Sequence, residues 1–544
     1  MNIKQLLTFA AAIAAGTAVS MACTSLIAGK KATADGSVMI TYAADSHNLY
    51  GELYHQPAAD HATGAMRKVT EWDTGRYLGE IPEVEHTYRT LGNMNEHGLT
   101  IAESTWGGRP ELEGSGMIDY GSLIYITLQR ARTAREAIKI MTDLVKDYGY
   151  ASSGESFSIA DANEAWIMEL IGKGKDEKGA VWVARRVPDD CISGHANHSR
   201  IHRFPLNDPE TIYSPDVIDF ARSKGYFNGK DEDFSFSLAY AEQDGGALRG
   251  CDGRVWSFYN KHSKDMEPYL DWILKGEGEP LPLWVKPSEP LTVRDMQWMM
   301  RDHFEGTPLD MTLDAGAGPY KVPYRWRPLT YEVDGVEYTH ERAIATQQTG
   351  FSFVSQMDGS APDPMKGILW FGVDDANTCV YVPVYNGSDH VPHEFAVGNG
   401  DMYNLSWDAA FWVNNYVANQ AYNRYSQMIP DIRRVQNSIE DSIAAEMPGL
   451  RTQVAALSPE EASKLLAAHT DRWAHDYTKR YRQLGDYLLV KYLDGNVKKE
   501  KDGEFERTET GMPAYPLFPG YDERYFRQIV NDPAGGERLK LLKR

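Results

Sequence analysis

The sequence is poor in cysteine, has fewer basic than acidic residues, and contains no long apolar run beyond its first residues. Among 544 residues there are four cysteines, and 56 Lys and Arg stand against 77 Asp and Glu, for a net charge of −21. So few cysteines exclude a disulfide scaffold for a chain of this length. The acidic balance argues against binding to nucleic acid, whose phosphates need a basic surface. The remaining composition is that of a globular protein, with 42% hydrophobic residues.

The first apolar run has the features of a cleaved signal peptide. Lys4 precedes an apolar segment over residues 6–22. This segment is shorter than a usual membrane-spanning helix, which needs about 20 apolar residues. Ser20 and Ala22, at the −3 and −1 positions, place the predicted cleavage after Ala22 and make Cys23 the first residue. We therefore expect residues 1–22 to be removed and the protein to be periplasmic or extracellular, without stable membrane insertion.

A lipid anchor on Cys23 is the alternative interpretation of the same segment. Bacterial lipoproteins are acylated on such a cysteine, but they prefer an aliphatic residue where this chain has Ser20. Acylation would block the thiol. The protein would then be a lipid-anchored binding protein rather than an enzyme.

The pattern along the chain predicts strands, then a helical pair, then strands again. Residues 23–110 alternate short apolar runs with turn signals, residues 120–148 have helical spacing with Thr133 as a cap, and strand patterns return over 156–197. A hairpin is predicted over 368–387, turning at residues 374–377. This order indicates an α+β fold built around a layered sheet.

Helical spacing dominates beyond residue 401. Pro430 is predicted to interrupt a helix that continues over 431–446, and Ser458 followed by Pro459 and Glu461 predicts the start of a further helix towards Tyr492. We divide the chain into a main domain over 23–400, a helical region packed on its core over 401–500, and a loop-rich tail over 501–544.

A cysteine exposed by cleavage carries two reactive groups, its thiol and its own α-amine. A free thiol is only a few per cent ionised at pH 7 and needs a base to become a nucleophile. The α-amine has a reference pKa of about 8 and is close enough to take the thiol proton directly or through water. Such a site requires no separate catalytic histidine, metal or organic cofactor.

Three widely separated segments stand out: CTSLIAGKKATADGSVMITYAADS at 23–46, MNEHGLTIAEST at 94–105 and HANHSRI at 195–201. Together they resemble the N-terminal-nucleophile (Ntn) hydrolases, specifically the family C69 dipeptidases related to choloylglycine hydrolases and penicillin V acylases. The resemblance implies a four-layer αββα sandwich for the main domain, with an added C-terminal helical region. It also implies a secreted cysteine dipeptidase that acts on small peptides through a thioester.

The resemblance also assigns roles to individual residues. Cys23 would be the nucleophile, Asp45 would hold its amine, and Asn197 would donate its side-chain amide to the oxyanion. Thr105 would supply a backbone N–H to the same oxyanion, and Arg254 would match a later active-site arginine.

One position departs from the family pattern. Many relatives carry arginine three residues before the aspartate, and this chain has Tyr42 there. A guanidinium that would lower the pKa of the thiol and bind a substrate carboxylate is therefore missing at this position.

Three other interpretations stay open from the sequence. The same fold could serve an amidase for conjugated bile acids, acyl-homoserine lactones or penicillins. His195, His198 and His202 lie close enough in sequence to suggest a zinc site, although a strand would point His195 and His198 to opposite faces. An aromatic stripe over 403–429 predicts packing against the sheet domain or against a second copy of the chain. The members of this stripe are Tyr403, Trp407, Phe411, Trp412, Tyr416, Tyr422 and Tyr425.

Overall fold

The computed structural model describes residues 23–241 and 245–542, in which helices and antiparallel sheets are mixed along the chain. The predicted α+β class is confirmed. The predicted signal peptide over 1–22 lies outside the described residues.

Most of the strands belong to two large sheets. In chain order the strands are β1 Ser25–Ala28, β2 Val38–Asp45, β3 His55–Gln56, β4 Ala59–Asp60, β5 Met66–Thr70, β6 Tyr77–Pro82, β7 His86–Thr87, β8 Thr90–Leu91, β9 Met94–Asn95, β10 Thr100–Gly107, β11 Gly154–Ala160, β12 Ala165–Gly172, β13 Ala180–Arg186, β14 Ile192–His195, β15 Thr211–Tyr213, β16 Trp284–Val285, β17 Thr330–Val333, β18 Val336–Thr339, β19 Thr349–Met357, β20 Gly367–Val373, β21 Val382–Tyr385, β22 Glu500–Lys501 and β23 Glu504–Phe505.

The helices lie between and after these strands. They are α1 Tyr120–Leu128, α2 Ala134–Tyr148, α3 Val217–Ser223, α4 Phe236–Tyr240, α5 Gly253–His262, α6 Leu270–Lys275, α7 Val293–Met299, α8 Ala410–Ala421, α9 Tyr425–Val454, α10 Pro459–Lys491 and α11 Glu523–Asn531. A short helical segment, Gly245–Ala247, and a π-helical turn, Leu248–Asp252, lead into α5. In the part of the chain that the structure describes, no helix is both long and apolar enough to cross a bilayer.

The first sheet has the strand order β16-β14-β1-β2-β19-β20-β21 and the second has β15-β13-β12-β11-β10-β9-β8-β3. Neighbouring strands are antiparallel, with Ser25 opposite His195, Phe353 opposite Tyr42 and Glu103 opposite Phe157. The central strands β2, β11 and β12 are buried along their whole length, including polar side chains such as those of Asp45, Glu155 and Glu169. The first sheet thus places Cys23 and Asp45 on adjoining strands.

The two sheets contact each other, and helices contact each of them. Strand β2 touches β10 and β11, and β1 touches β10. Helices α1 and α2 lie on strands β10 to β13, while α5, α7, α8 and α10 contact β14, β19, β20 and β21 of the first sheet. One apolar core joins the first sheet to the C-terminal helices, and a second lies between the other sheet and α1–α2. The side chains near Cys23 therefore occupy the region where strands of both sheets meet.

Most local predictions are confirmed. Thr133 caps α2 and Ser458 forms a capping box with Glu461 at the start of α10, both through bonds to backbone N–H groups. Strands β20 and β21 form the predicted hairpin, with a connection longer than the predicted four-residue turn.

The prediction for Pro430 is wrong. Helix α9 begins at Tyr425 and contains Pro430, and the break in helical structure lies at residues 422–424 instead. Pro430 lies near the helix start, where a lost backbone N–H removes a single bond to the preceding turn.

The aromatic stripe is only partly a packing surface. Phe411 and Tyr425 are buried in the core, whereas Trp407 is half-buried and Tyr403 is 96% exposed.

Candidate active site

Cys23 lies immediately before β1, and its side chain is buried. The Cys23 thiol donates to Oε1 of Glu103 over 3.2 Å and lies 3.7 Å from the hydroxyl oxygen of Tyr42. Tyr42 donates to the same oxygen of Glu103. The predicted nucleophile Cys23, the tyrosine at the position that differs from the family pattern (Tyr42) and the Glu103 carboxylate of the second sheet thus form one hydrogen-bonded group.

The electrostatic surroundings keep this thiol protonated. Burial raises the pKa of the Cys23 thiol well above its usual value, and the charges of Glu103 and Asp45 raise it further. A hydrogen bond from the Tyr42 side chain lowers this pKa and opposes the increase. A nucleophilic role for Cys23 consequently requires a base or a change in the neighbouring charge.

Arg254 joins the Cys23 segment to the Asn197 loop. Helix α5 carries this buried arginine, whose guanidinium donates to the carbonyl oxygen of Cys23 and to Oγ1 of Thr24, both over 2.7 Å. It also donates to the carbonyl oxygen of Ala196 and to Oδ1 of Asn197, both over 3.0 Å. Arg254 therefore fixes the backbone of Cys23 and the orientation of the Asn197 amide together.

Asn197 lies on the turn that follows β14, with a left-handed φ of 57°. Its Nδ2 donates to the carbonyl oxygen of Thr105 over 2.6 Å, and its backbone N–H donates to Oγ of Ser104 over 3.2 Å. The Thr105 hydroxyl donates to Glu155 over 3.1 Å. The structure thus brings the predicted Asn197 and Thr105 into direct contact.

His195 lies next to this turn and forms hydrogen bonds through both ring nitrogens. Its Nδ1 lies 2.6 Å from Oγ of Ser104 and its Nε2 lies 2.8 Å from Oγ of Ser158. Burial, followed by the charges of Arg200 and Arg254, lowers the pKa of His195 to about 3. The ring is therefore neutral at ordinary pH and acts as a fixed hydrogen-bonding link between Ser104 and Ser158.

Asp45 ends β2 and is buried. Its two carboxylate oxygens accept hydrogen bonds from Arg342 and from Oγ1 of Thr349, the latter over 2.7 Å. Asp45 is near enough to Cys23 to affect the pKa of the thiol. Arg342 thus supplies a guanidinium at Asp45, although position 42 holds tyrosine.

A small cationic pocket of about 20 Å³ adjoins this ion pair. Its walls include Arg325, Arg327 and Arg342, together with Glu341. Burial and the charge of Arg342 lower the pKa of Arg327 to about 10, which leaves this side chain charged at neutral pH. The pocket therefore offers positive charge beside Asp45.

The three histidines do not converge. His195 bonds to the two serines named above, His198 pairs with Asp252 over 2.8 Å, and His202 lies 3.3 Å from Oγ of Ser235. Among residues 23–241 and 245–542 there is no group of three His, Cys, Asp or Glu side chains that could hold a metal ion. All four cysteines of the chain are free.

Sequence reasoning missed several residues of this group. Glu103 lies inside the segment 94–105 that carries the resemblance, where a carboxylate within a buried strand pattern was the available signal. Arg342 comes from an irregular segment nearly 300 residues after Asp45, and no local pattern marks it. Glu155 begins the buried strand β11, where its charge likewise contrasts with its apolar neighbours.

Comparison with known proteins defines the class of this molecule. The model of peptidase family C69 matches residues 22–438, which include both sheets and the site around Cys23. The protein is thus a peptide-bond hydrolase. It belongs to peptidase family C69.

Individual relatives are distant but cover most of the chain. A protein named probable dipeptidase from Latilactobacillus sakei is 26% identical over 68% of this chain and 75% of its own length. A probable dipeptidase from Salmonella dublin is 25% identical over 71% of this chain and 86% of its own length. Dipeptidase A of Lactobacillus helveticus is 23% identical, with coverage of 77% and 84%.

Proposed function

We propose that this protein is a secreted cysteine dipeptidase that hydrolyses small peptides through the thiol of Cys23 as an N-terminal nucleophile. The observation that carries the proposal is the position of Cys23 at the contact between the sheets, bonded to Glu103 and fixed by Arg254. The family match begins one residue before Cys23, in agreement with a nucleophile at the start of the processed chain. The names of the relatives support dipeptides as substrates.

In the proposed reaction, the α-amine of Cys23 takes the thiol proton, and the thiolate attacks the carbonyl carbon of the peptide bond. The amide of Asn197 and a backbone N–H at Thr105 stabilise the resulting oxyanion. The α-ammonium returns its proton to the leaving amine, which departs as an amino acid. Water then hydrolyses the thioester, releases the second amino acid and restores the thiol.

The layering supports an Ntn-type four-layer αββα sandwich as the fold of the catalytic part. Two antiparallel sheets contact each other, and helices contact each sheet, α1 and α2 on one and α5, α7, α8 and α10 on the other. In this arrangement β1, the strand that follows Cys23, lies inside its sheet between β14 and β2.

The cationic pocket supports a substrate that ends in a carboxylate. Arg327 and Arg342 stand beside Asp45, and Asp45 acts on the thiol of Cys23. Guanidinium groups bind carboxylates through paired hydrogen bonds. A dipeptide bound across Cys23 would place its C-terminal carboxylate towards this pocket.

The test compares the wild-type enzyme with Cys23→Ser and with Cys191→Ala, a control at another buried free cysteine. Loss of the nucleophile is expected to lower kcat/KM for alanyl-alanine by about 1,000-fold or more, while the control keeps wild-type activity. Wild-type activity in Cys23→Ser would overturn the mechanism.

A mass measurement on the exported protein tests the processing. It is expected to show a chain that begins at Cys23 with a free amine, and a retained leader or added acyl mass would contradict the proposed secretion and mechanism.

A further inference from the structure

Two buried carboxyl groups near Cys23 lack a cationic partner among the described residues. Glu103 and Glu155 are fully buried on the paired strands β10 and β11, where Thr105 stands opposite Glu155 and Glu103 stands two residues away. Glu103 accepts from Cys23 and Tyr42, and Glu155 accepts from Thr105. Within residues 23–241 and 245–542 neither forms an ion pair with a basic side chain. Oε2 of Glu103 and Oε1 of Glu155 accept from no N–H group, and the two carboxyl groups are hydrogen-bonded to each other.

Such a pair is costly unless protons or a cation compensate it, because buried carboxylates are normally paired. Burial and the neighbouring charge of Glu103 raise the pKa of Glu155 well above its usual value, which favours the protonated form of Glu155. Glu103 contacts the thiol and forms no ion pair among the described residues.

The distances match the amino end of a peptide substrate. In an amino acid the α-nitrogen lies about 2.5 Å from the carbonyl carbon, from standard bond lengths and angles. A carbonyl carbon under attack lies about 3–3.5 Å from the nucleophile. Since Oε1 of Glu103 is 3.2 Å from the Cys23 sulfur, these distances allow an orientation of the substrate in which its ammonium group hydrogen-bonds to Glu103.

We propose that Glu103 binds the α-ammonium of the substrate and restricts the enzyme to peptides with a free N-terminus. This inference rests on the proposed function, because it assumes attack by Cys23. It distinguishes peptides from acylated amides, since penicillin V, conjugated bile acids and acyl-homoserine lactones have no ammonium beside the scissile carbonyl. Tyr42 contributes by donating to the same oxygen and so orients the carboxylate.

The test compares alanyl-alanine with propionyl-alanine, which is the same molecule without its amine, and with N-acetyl-alanyl-alanine. The wild-type enzyme is expected to hydrolyse alanyl-alanine about 10- to 100-fold more efficiently, in kcat/KM, than propionyl-alanine, the range that a hydrogen bond to a charged group provides. Equal kcat/KM values for the two substrates would overturn the inference without any variant.

Variants locate the recognition at Glu103. Glu103→Gln is expected to lower the preference for alanyl-alanine over propionyl-alanine, measured as the ratio of their kcat/KM values, by about 10- to 100-fold. Glu103→Asp, which retains the charge, and Glu155→Gln, which resembles the neutral acid, are expected to retain the preference for the free amine. Thermal unfolding of each variant verifies that it is folded.

Two results separate failure of this inference from failure of the proposed function. An equal loss for both substrates in Glu103→Gln would overturn the inference, since Glu103 would then pair with the α-amine of Cys23 itself. Full hydrolysis of alanyl-alanine by Cys23→Ala would instead overturn the proposed function, whatever preference the enzyme shows.

Discussion

At the scale of single residues, the thiol of Cys23 is controlled by the charge next to it. The pKa of this thiol is raised by burial, then by Glu103 and by Asp45, while Tyr42 provides an opposing hydrogen bond. A negative charge near a thiol disfavours the thiolate, so removal of that charge lowers the pKa. Glu103→Gln is therefore expected to move the pH profile of Cys23 alkylation by iodoacetamide towards lower pH.

The alkylation is followed by peptide mass mapping, which separates Cys23 from the other three cysteines. Glu103→Asp is the matched control, because it retains the charge and should keep the profile near that of the wild type. A profile that Glu103→Gln leaves unchanged would show that Glu103 does not determine the ionisation of the thiol.

The sequence motifs predicted site residues that lie within the motif segments themselves. They missed site residues that come from other, irregular parts of the chain. Asn197 and Thr105 are in direct contact, and Arg254 bonds to Asn197 and to the backbone of Cys23. Arg342 reaches Asp45 from an irregular segment, and such a contact depends on tertiary packing that no local pattern encodes. The catalytic roles of the predicted residues remain predictions.

At the scale of elements, the sequence predicted helix starts better than helix breaks. Caps are local, because one side chain satisfies backbone N–H groups two or three residues away, and Thr133 and Ser458 act in this way. Breaks depend on the neighbours of the helix. Helix α9 keeps Pro430 because its apolar face packs in the core through Met428, Ile432 and Ile439.

The cap of α10 gives a prediction at this scale. The Ser458 hydroxyl accepts from the N–H of Glu461, and the Glu461 carboxylate accepts from the Ser458 N–H in return. Ser458→Ala is expected to lower the free energy of unfolding by about 1 kcal/mol, measured by denaturant unfolding.

The matched control for this cap is Ser442→Ala, an exposed mid-helix serine of α9. Alanine has the higher helix propensity, so this change should be neutral or slightly stabilising. Equal destabilisation by both changes would show that the cap does not contribute.

At the scale of the whole molecule, the C-terminal helices are part of the same core as the first sheet. Helix α8 packs on β20 and α10 on β21, and the apolar side chains of α8 to α10 join those of β1 and β2 in one continuous cluster. The family match ends at residue 438, inside α9, so it includes only the beginning of this helical region. Cooperative unfolding of the sheets together with α9 and α10 follows from this shared core.

Glu440 is the buried polar contact that links these parts. On α9, it accepts from Arg301 over 3.2 Å and from the backbone N–H of Tyr381 over 3.1 Å, and it also pairs with Arg294. The side chains of Glu440 and Arg301 are nearly inaccessible, so removal of one charge leaves the other buried without compensation.

Glu440→Gln is therefore expected to lower the free energy of unfolding by about 3 kcal/mol. Its neighbour Asp441 pairs with Arg294 at the surface and is 71% exposed, so Asp441→Asn should cost less than about 0.5 kcal/mol. Denaturant unfolding followed by tryptophan fluorescence measures both, and kcat/KM of the folded enzyme should stay unchanged because Glu440 makes no contact with the Cys23 group. Two separate transitions in Glu440→Gln, with the sheets retaining wild-type stability, would show that the helical region unfolds independently and does not stabilise the catalytic sheets.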